Sequence, residues 1–369
     1  MRDRGPAPAN HLSDPRLFPY SPDAPTAALA ASLGVGRIAK LDANELAFGP
    51  FPGVVEALVP VLEGANRYPD LGVGLVEALC ARHSIAPENV VVCHGADPII
   101  GHLCQAFMPP GHEVITAAPS FVTYAQDALR HGGSATEIPV RPDGCLDLPA
   151  MLSAVGPRTS IVFLCNPNNP TGGYLPLEEV DAFLSALPEH VLAVVDQAYL
   201  EFTGDEPDVG APLDVSRPNV CYLRTFSKIF GLAGLRVGYL VSPAPLVAAV
   251  GRLRHWYDVT DVAHAAATLS LAQPAELARR RTETNAARAA LAAILQRHGL
   301  EPLPSTAGFL LAPADDAEVI VDGLAACGVL TRLVAAGTQR WIRIAVGDAE
   351  DRAQLADALA GLQAATATR

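Results

Sequence analysis

Lys228 sits in the run Arg224-Thr-Phe-Ser-Lys-Ile-Phe-Gly-Leu-Ala-Gly-Leu-Arg-Val-Gly-Tyr239 and is, with Lys40, one of only two lysines among 26 basic residues. Arginine has been used nearly everywhere else a cation is wanted. It serves a surface charge or an ion pair as well as lysine does, but it does not release a proton to become a nucleophilic amine. A lysine that condenses with an aldehyde has no substitute. Thr225, Ser227 and Arg236 flank it, after the run Asn219-Val-Cys-Tyr-Leu-Arg224, which reads as a buried strand. Hydroxyls, an arginine and a lysine at a strand's carboxyl end make a phosphate cradle beside an amine. A surface lysine in a turn is the plainer alternative, and those neighbours argue against it.

Other polar residues follow apolar runs in the same way. Val90–Cys93 leads into His94-Gly95-Ala96-Asp97 and then a helix. Small residues before a helix expose backbone N–H groups, which together with the helix dipole hold an anion; a plain N-cap at Asp97 accounts for this turn equally well. Phe121, in Pro119-Ser-Phe-Val-Thr-Tyr124, could stack on a planar heteroaromatic, while Tyr124 is either a core aromatic or a substrate contact. Asn166-Pro-Asn-Asn-Pro-Thr-Gly172 is a tight loop by its turn-forming dipeptides. Asp196 ends the run Val191–Val195, and a carboxylate buried there needs a partner, because bare burial costs several kcal/mol. Arg343, in Trp341-Ile-Arg-Ile-Ala-Val-Gly347, places a guanidinium in an alternating apolar strand, where it either grips a carboxylate with two N–H groups or serves a structural ion pair.

Taken together, Thr225-x-Ser227-Lys228 and Gly-Leu-Ala-Gly-Leu-Arg236-x-Gly resemble the lysine motif of the pyridoxal-phosphate (PLP) aminotransferases of fold type I. The likeness is greatest to the histidinol-phosphate aminotransferase group and runs from about Tyr20 to Gly347. It implies PLP as cofactor, no metal, and a Lys228 amine that joins the PLP aldehyde and then carries the substrate's α-proton. It implies that Asp196 keeps the pyridine nitrogen protonated, that Asn169 and Tyr199 meet the phenolic oxygen, and that Phe121 stacks on the ring. Gly95, Ala96, Asp97, Thr225, Ser227 and Arg236 would hold the phosphate. Tyr68, in Arg67-Tyr-Pro-Asp70, would cross to the neighbouring subunit's cofactor phosphate, which makes the protein a homodimer. On the substrate side, Arg343 would clamp an α-carboxylate and Arg332 the far end, with Tyr20 and Asn44 nearby.

The reaction so implied moves an amino group between L-histidinol phosphate, or an aromatic amino acid, and 2-oxoglutarate/glutamate. A decarboxylase of the same fold and an aminotransferase of a specialised pathway are the alternatives. Departures from the pattern lie mostly on the substrate side: Leu46 and Ala47 stand where Asn-Pro is usual, and Gly308 where asparagine is. His94, Pro98 and Gln197 replace an asparagine and two glutamates. A dehydrogenase is disfavoured, since Gly72-Val-Gly74 lacks both the third glycine and the preceding strand. A PLP-fold regulator is disfavoured by the lack of a basic N-terminal module.

Composition agrees with a compact enzyme. Half of the 369 residues are hydrophobic and 18% are charged, far from a disordered composition. A net charge of −13 argues against nucleic acid, which needs a clustered basic surface. No apolar stretch reaches the roughly 18 residues of a membrane span. Seven cysteines without a C-x-x-C pair fit reduced thiols in the cytoplasm.

The positions singled out above need a scaffold that brings strand ends together. Apolar runs at Val90–Cys93, Val114–Ala117, Ile161–Cys165, Val191–Val195, Val220–Leu223 and Val237–Val241 alternate with helical patterns such as Ile99–Phe107 and Leu177–Ala186. Such alternation predicts an α/β fold with a mostly parallel sheet under helices on both faces, and ligands at the strands' carboxyl ends; the fold type I resemblance implies seven strands in that sheet. Residues 1–45 read as an arm with one helix, Thr26–Leu33, plus part of a small domain. Residues 46–260 read as the large PLP-binding domain and 261–369 as a small α+β domain.

Overall fold

The structure, a computed structural model, describes residues 10–18, 25–70, 72–203 and 213–367. Tyr20 lies outside them. In chain order the first part comprises Thr26–Leu33 (α1), Ala39–Lys40 (β1), Val54–Glu63 (α2), Val73–His83 (α3), Val90–Cys93 (β2), Asp97–Phe107 (α4), Glu113–Ala118 (β3), Thr123–Arg130 (α5) and Ser134–Pro139 (β4). Leu148–Ser153 (α6), Thr159–Cys165 (β5), Leu177–Ala186 (α7), Leu192–Asp196 (β6), Val220–Thr225 (β7), Gly238–Val241 (β8), Ala244–Leu253 (α8), Asp261–Leu271 (α9) and Pro274–Arg297 (α10) follow. The last part holds Phe309–Pro313 (β9), Ala317–Ala326 (α11), Val329–Leu330 (β10), Arg332–Ala336 (β11), Gln339–Ala345 (β12) and Ala349–Ala367 (α12).

Seven strands form the large sheet in the order β2-β8-β7-β6-β5-β3-β4. β4, β3, β5, β6 and β7 run parallel, while β8 is antiparallel to both β7 and β2. This is the arrangement that the resemblance to fold type I implies. Strands covered on both faces read as unbroken apolar runs rather than alternating ones. In β5, accordingly, Ile161 and Phe163 enter one cluster with Ile99 and Leu103 of α4. Val162 and Leu164 enter another with Val180 and Phe183 of α7.

β9, β12 and β11 form a smaller antiparallel sheet, with β1 and β10 paired beside it. The buried clusters do not divide at residue 260. Ala263, Ala266 and Ala267 of α9 and Leu277 of α10 pack with Phe226 and Tyr239 of the large unit, whereas Leu291, Ile294 and Leu295 of α10 pack with Leu310, Ile342 and Leu355. The long α10 spans both cores, so the pattern change that marks the boundary in sequence lies ahead of the physical one. The described part of the arm packs on its own chain: Phe18 N–H donates to Gln126 Oε1 at 2.9 Å, and Gln126 Nε2 donates to the Arg16 carbonyl at 2.9 Å.

Candidate active site

Five parallel or neighbouring strands deliver the candidate residues at their carboxyl ends: β2 to Gly95–Asp97, β3 to Phe121, β5 to Asn169, β6 to Asp196 and Tyr199, and β7 to Thr225–Lys228. They converge on a cleft of about 750 Å³ lined by Ala96, Asp97, Phe121, Asn169, Asp196, Tyr199, Thr225, Ser227, Lys228, Arg236, Asn44, Arg332 and Arg343, among others. β1 and the small sheet close it from the far side, contributing Asn44 and the two arginines. Tyr68 does not line this cleft; it is 79% exposed elsewhere on the surface.

At one end of the cleft the start of α4, two hydroxyls and an arginine come together. α4 starts after Ala96 with no side-chain cap, and its N-terminus, with the Asp97 carboxylate in the first turn, lies at the cleft. Gly95 has φ +103°, and a Cβ there would come within 2.6 Å of the Arg236 guanidinium. Across the sheet, a Cβ on Gly238 would lie 2.6 Å from the Ala96 nitrogen. Gly238 is therefore required by the close approach of turn and strand, and Gly95 by its left-handed backbone. Arg236, itself left-handed at φ +56°, donates to Ser227 Oγ at 3.3 Å, and Ser227 N–H donates to Thr225 Oγ1 at 3.1 Å. Asp97 is not an N-cap; it occupies the first helical position and accepts Thr123 Oγ1–H at 2.8 Å.

Asp196 lies at the opposite register of Cys165 on β5 and is buried. Its Oδ2 accepts the Tyr124 hydroxyl at 2.7 Å and its Oδ1 the Ala198 N–H at 3.0 Å. Burial raises its pKa, and those two hydrogen bonds with nearby Lys228 oppose the rise. Tyr124 is thus a support for Asp196 and not a substrate contact: it is fully buried and stacked on Phe163, with Phe121 edge-on above it. Its position three residues after Phe121 is the only trace of this role in the sequence.

Lys228 faces Tyr199, its Nζ 5.5 Å from the ring centroid. Burial, then the Arg343 and Arg236 charges, bring its pKa down to about 8, against the pull of Glu45 and Asp196. The Tyr199 hydroxyl accepts from Asn44 Nδ2 at 3.1 Å. Arg343 Nη1 donates to Asn169 Oδ1 at 2.9 Å, which leaves the Asn169 amide to donate, and Nη2 donates to the Asp42 carbonyl. Two buried polar atoms at this spot, Arg343 Nε and Asn44 Oδ1, have no partner among the described residues. Arg332 reaches to 3.9 Å from Asp42, and Leu333, Val334, Val122 and Phe18 make the adjoining wall apolar.

Two departures from the family pattern meet in space. A Cβ on Gly308 would make ordinary contact with Phe202 at 3.4 Å and with Leu46 Cδ2 at 3.7 Å, so Leu46 borders position 308. Gln197 also has a function in the fold: its Oε1 accepts Arg224 Nε at 2.9 Å beside the buried Arg224–Glu201 pair.

The donor set fits PLP: a phosphate cup, a carboxylate for a ring nitrogen, hydroxyl and amide groups for a phenolic oxygen, and an amine of lowered pKa for an aldehyde. The "Aminotransferase class I and II" family profile matches residues 37–359. A histidinol-phosphate aminotransferase 2 of Carboxydothermus hydrogenoformans is 37% identical over 337 residues, covering 90% of this chain and 92% of that one. An aromatic amino acid aminotransferase of Rhodococcus erythropolis is 38% identical over 311 residues, covering 84% and 86%. The crystal structure of histidinol-phosphate aminotransferase from Sinorhizobium meliloti in complex with pyridoxal-5'-phosphate superposes with a TM-score of 0.85 at 31% identity, covering 93% of this chain and 96% of that one.

Proposed function

The chain belongs to the class I and II aminotransferase family, and from that premise we propose that it moves an amino group between L-histidinol phosphate, or an aromatic amino acid, and 2-oxoglutarate/glutamate, with PLP as cofactor. The observation that carries this reading is the single cleft shared by Lys228, Asp196 and Arg343. When bound, PLP supplies an aldehyde for an amine and a ring that draws electrons from the substrate's α-carbon.

The chain's own residues do the rest. Ala96, Asp97, Thr225, Ser227 and Arg236 bind the phosphate, and Gly95 supplies the left-handed backbone of the turn. Asp196, oriented by Tyr124, holds the ring nitrogen's proton. Asn169 and Tyr199 donate to the phenolic oxygen, and Phe121 covers the ring face. The neutral Lys228 amine takes the proton from the substrate's α-carbon and later returns one. Arg343, with its open Nε, grips the substrate's anionic end, helped by Asn44; Arg332 meets the other end across the apolar wall.

Tyr68 stacks on Tyr257, and Trp256 lies edge-on to Tyr257, which makes an exposed aromatic surface of three rings. Such a surface is covered in most proteins by a partner, and a second copy of this chain would put Tyr68 at its neighbour's phosphate cup. Among the described residues no helix is long and apolar enough to cross a membrane, and all seven thiols are free; a cytoplasmic homodimer is the setting this supports. Offering histidinol phosphate and the aromatic amino acids with 2-oxoglutarate tests the proposal. Formation of glutamate from one of them is expected; release of CO2 in its place would make the protein a decarboxylase.

A further inference from the structure

Tyr68 is exposed but not loose. Its ring stacks on Tyr257, with centroids 4.5 Å apart and planes 19° apart. Tyr257 holds a left-handed backbone at φ +60°, a conformation that a bulky residue keeps only where its surroundings enforce it. The enforcing groups are visible on both sides. The neighbouring Asp258 carboxylate is buried, accepts Arg254 Nε at 2.6 Å and faces His94 Nδ1 at 3.4 Å. On the Tyr68 side, the Asp70 N–H donates to Asp261 Oδ1 at 3.0 Å, and Gly72 N–H to Asp70 Oδ1 at 2.8 Å. The loop carrying Tyr68 is therefore docked at two points, on the connection between α8 and α9 through Tyr257 and on the first residue of α9 through Asp261. His94, which touches that connection, immediately precedes the Gly95–Asp97 phosphate turn.

We propose that Tyr257 is a positioning residue, which presets the Tyr68 ring for the partner subunit's cofactor phosphate while Asp258 braces the same loop against this protomer's own phosphate turn. The inference rests on the proposed reading of Tyr68 as a cross-subunit phosphate contact. It adds that Tyr68 owes its placement to a strained aromatic held by the Asp258–Arg254–His94 cluster. Stacking removes most of the ring's freedom before the partner's phosphate arrives, so binding needs less ordering.

The test is PLP affinity of the dimer, read by absorbance titration of the apo form, for Tyr257→Ala and Tyr257→Phe in the native and Tyr68→Phe backgrounds, with pyridoxal as the phosphate-free probe. Loss of a stacked aromatic pair corresponds to about 2- to 10-fold in affinity. Tyr257→Ala is expected to weaken PLP by that factor and pyridoxal not at all, Tyr257→Phe to match the native protein, and Tyr257→Ala to add nothing once Tyr68 is Phe. Equal weakening of PLP and pyridoxal, or full additivity with Tyr68→Phe, would overturn the positioning role. If Tyr68→Phe binds PLP normally, the assignment of Tyr68 itself is wrong and the proposal goes with it. Should the alanine variant fail to form dimers, Tyr257→Leu, which keeps bulk without a π-face, gives the same comparison.

Discussion

The Tyr124 hydroxyl lies 2.7 Å from Asp196 Oδ2, inside the core and beneath the floor of the cleft. Burial pushes the ionisation of Tyr124 well up, so at any working pH it donates a hydrogen bond and adds no second charge. It favours the ionised Asp196 that burial alone would disfavour. The charge at the base of the site is thus held by a residue that never touches substrate.

Tyr124→Phe keeps the ring stacked on Phe163 and removes only that donor. A hydrogen bond to a charged group contributes about 1.5–3 kcal/mol, so kcat/KM should fall about 10- to 100-fold. Because the lost bond favoured the carboxylate, the Asp196 pKa rises further and the acid limb of the pH profile should move to higher pH. A pH–rate series on both proteins checks the fall and the direction of the shift.

Lys228 reacts with an aldehyde only as the neutral amine. With its pKa near 8 rather than the ordinary 10.5, uptake of PLP by the apo protein should quicken about tenfold per pH unit up to pH about 8 and then level off. Stopped-flow growth of the near-visible band measures this. A rate still climbing steeply toward pH about 10 would show an unshifted lysine.

Gly238→Ala would set a methyl group 2.6 Å from the Ala96 nitrogen and 2.8 Å from the Gly95 carbonyl carbon. Backbone atoms cannot swing aside as a flexible side chain can, so β2 and β8 must part and the phosphate turn must move. PLP affinity should drop by at least about tenfold, comparable to 1.4 kcal/mol, with pyridoxal affinity much less changed. Equilibrium titration with both compounds separates a damaged phosphate cup from general unfolding.

Much of the architecture was legible because both faces of the central strands are buried, which makes them continuous apolar runs with chemistry at one end. β4 was not: Ser134–Pro139 is an edge strand with no buried residue and of mixed polarity, and carries no such run. Lys228 stood out against a background of arginines, and the residues at the ends of β5, β6 and β7 stood out by position. Tyr124 was ambiguous because a buried tyrosine looks the same in sequence whether its hydroxyl serves the core or a carboxylate 72 residues away. The nearness of Leu46 to position 308 and the Gln197–Arg224 bond were equally hidden, since each joins segments whose proximity only the fold creates. α9 and the start of α10 are rich in alanine and arginine, and their allegiance to the large core shows only in the packing.

The covalent role proposed for Lys228 can be tested directly, because the chain has only one other lysine, Lys40. Apo protein loaded with PLP, reduced with borohydride and digested should yield one phosphopyridoxyl-labelled peptide, the one containing Lys228, and the Lys228→Ala protein should yield none. A label on Lys40 or on the N-terminal amine, or no label at all on the native protein, would contradict the account.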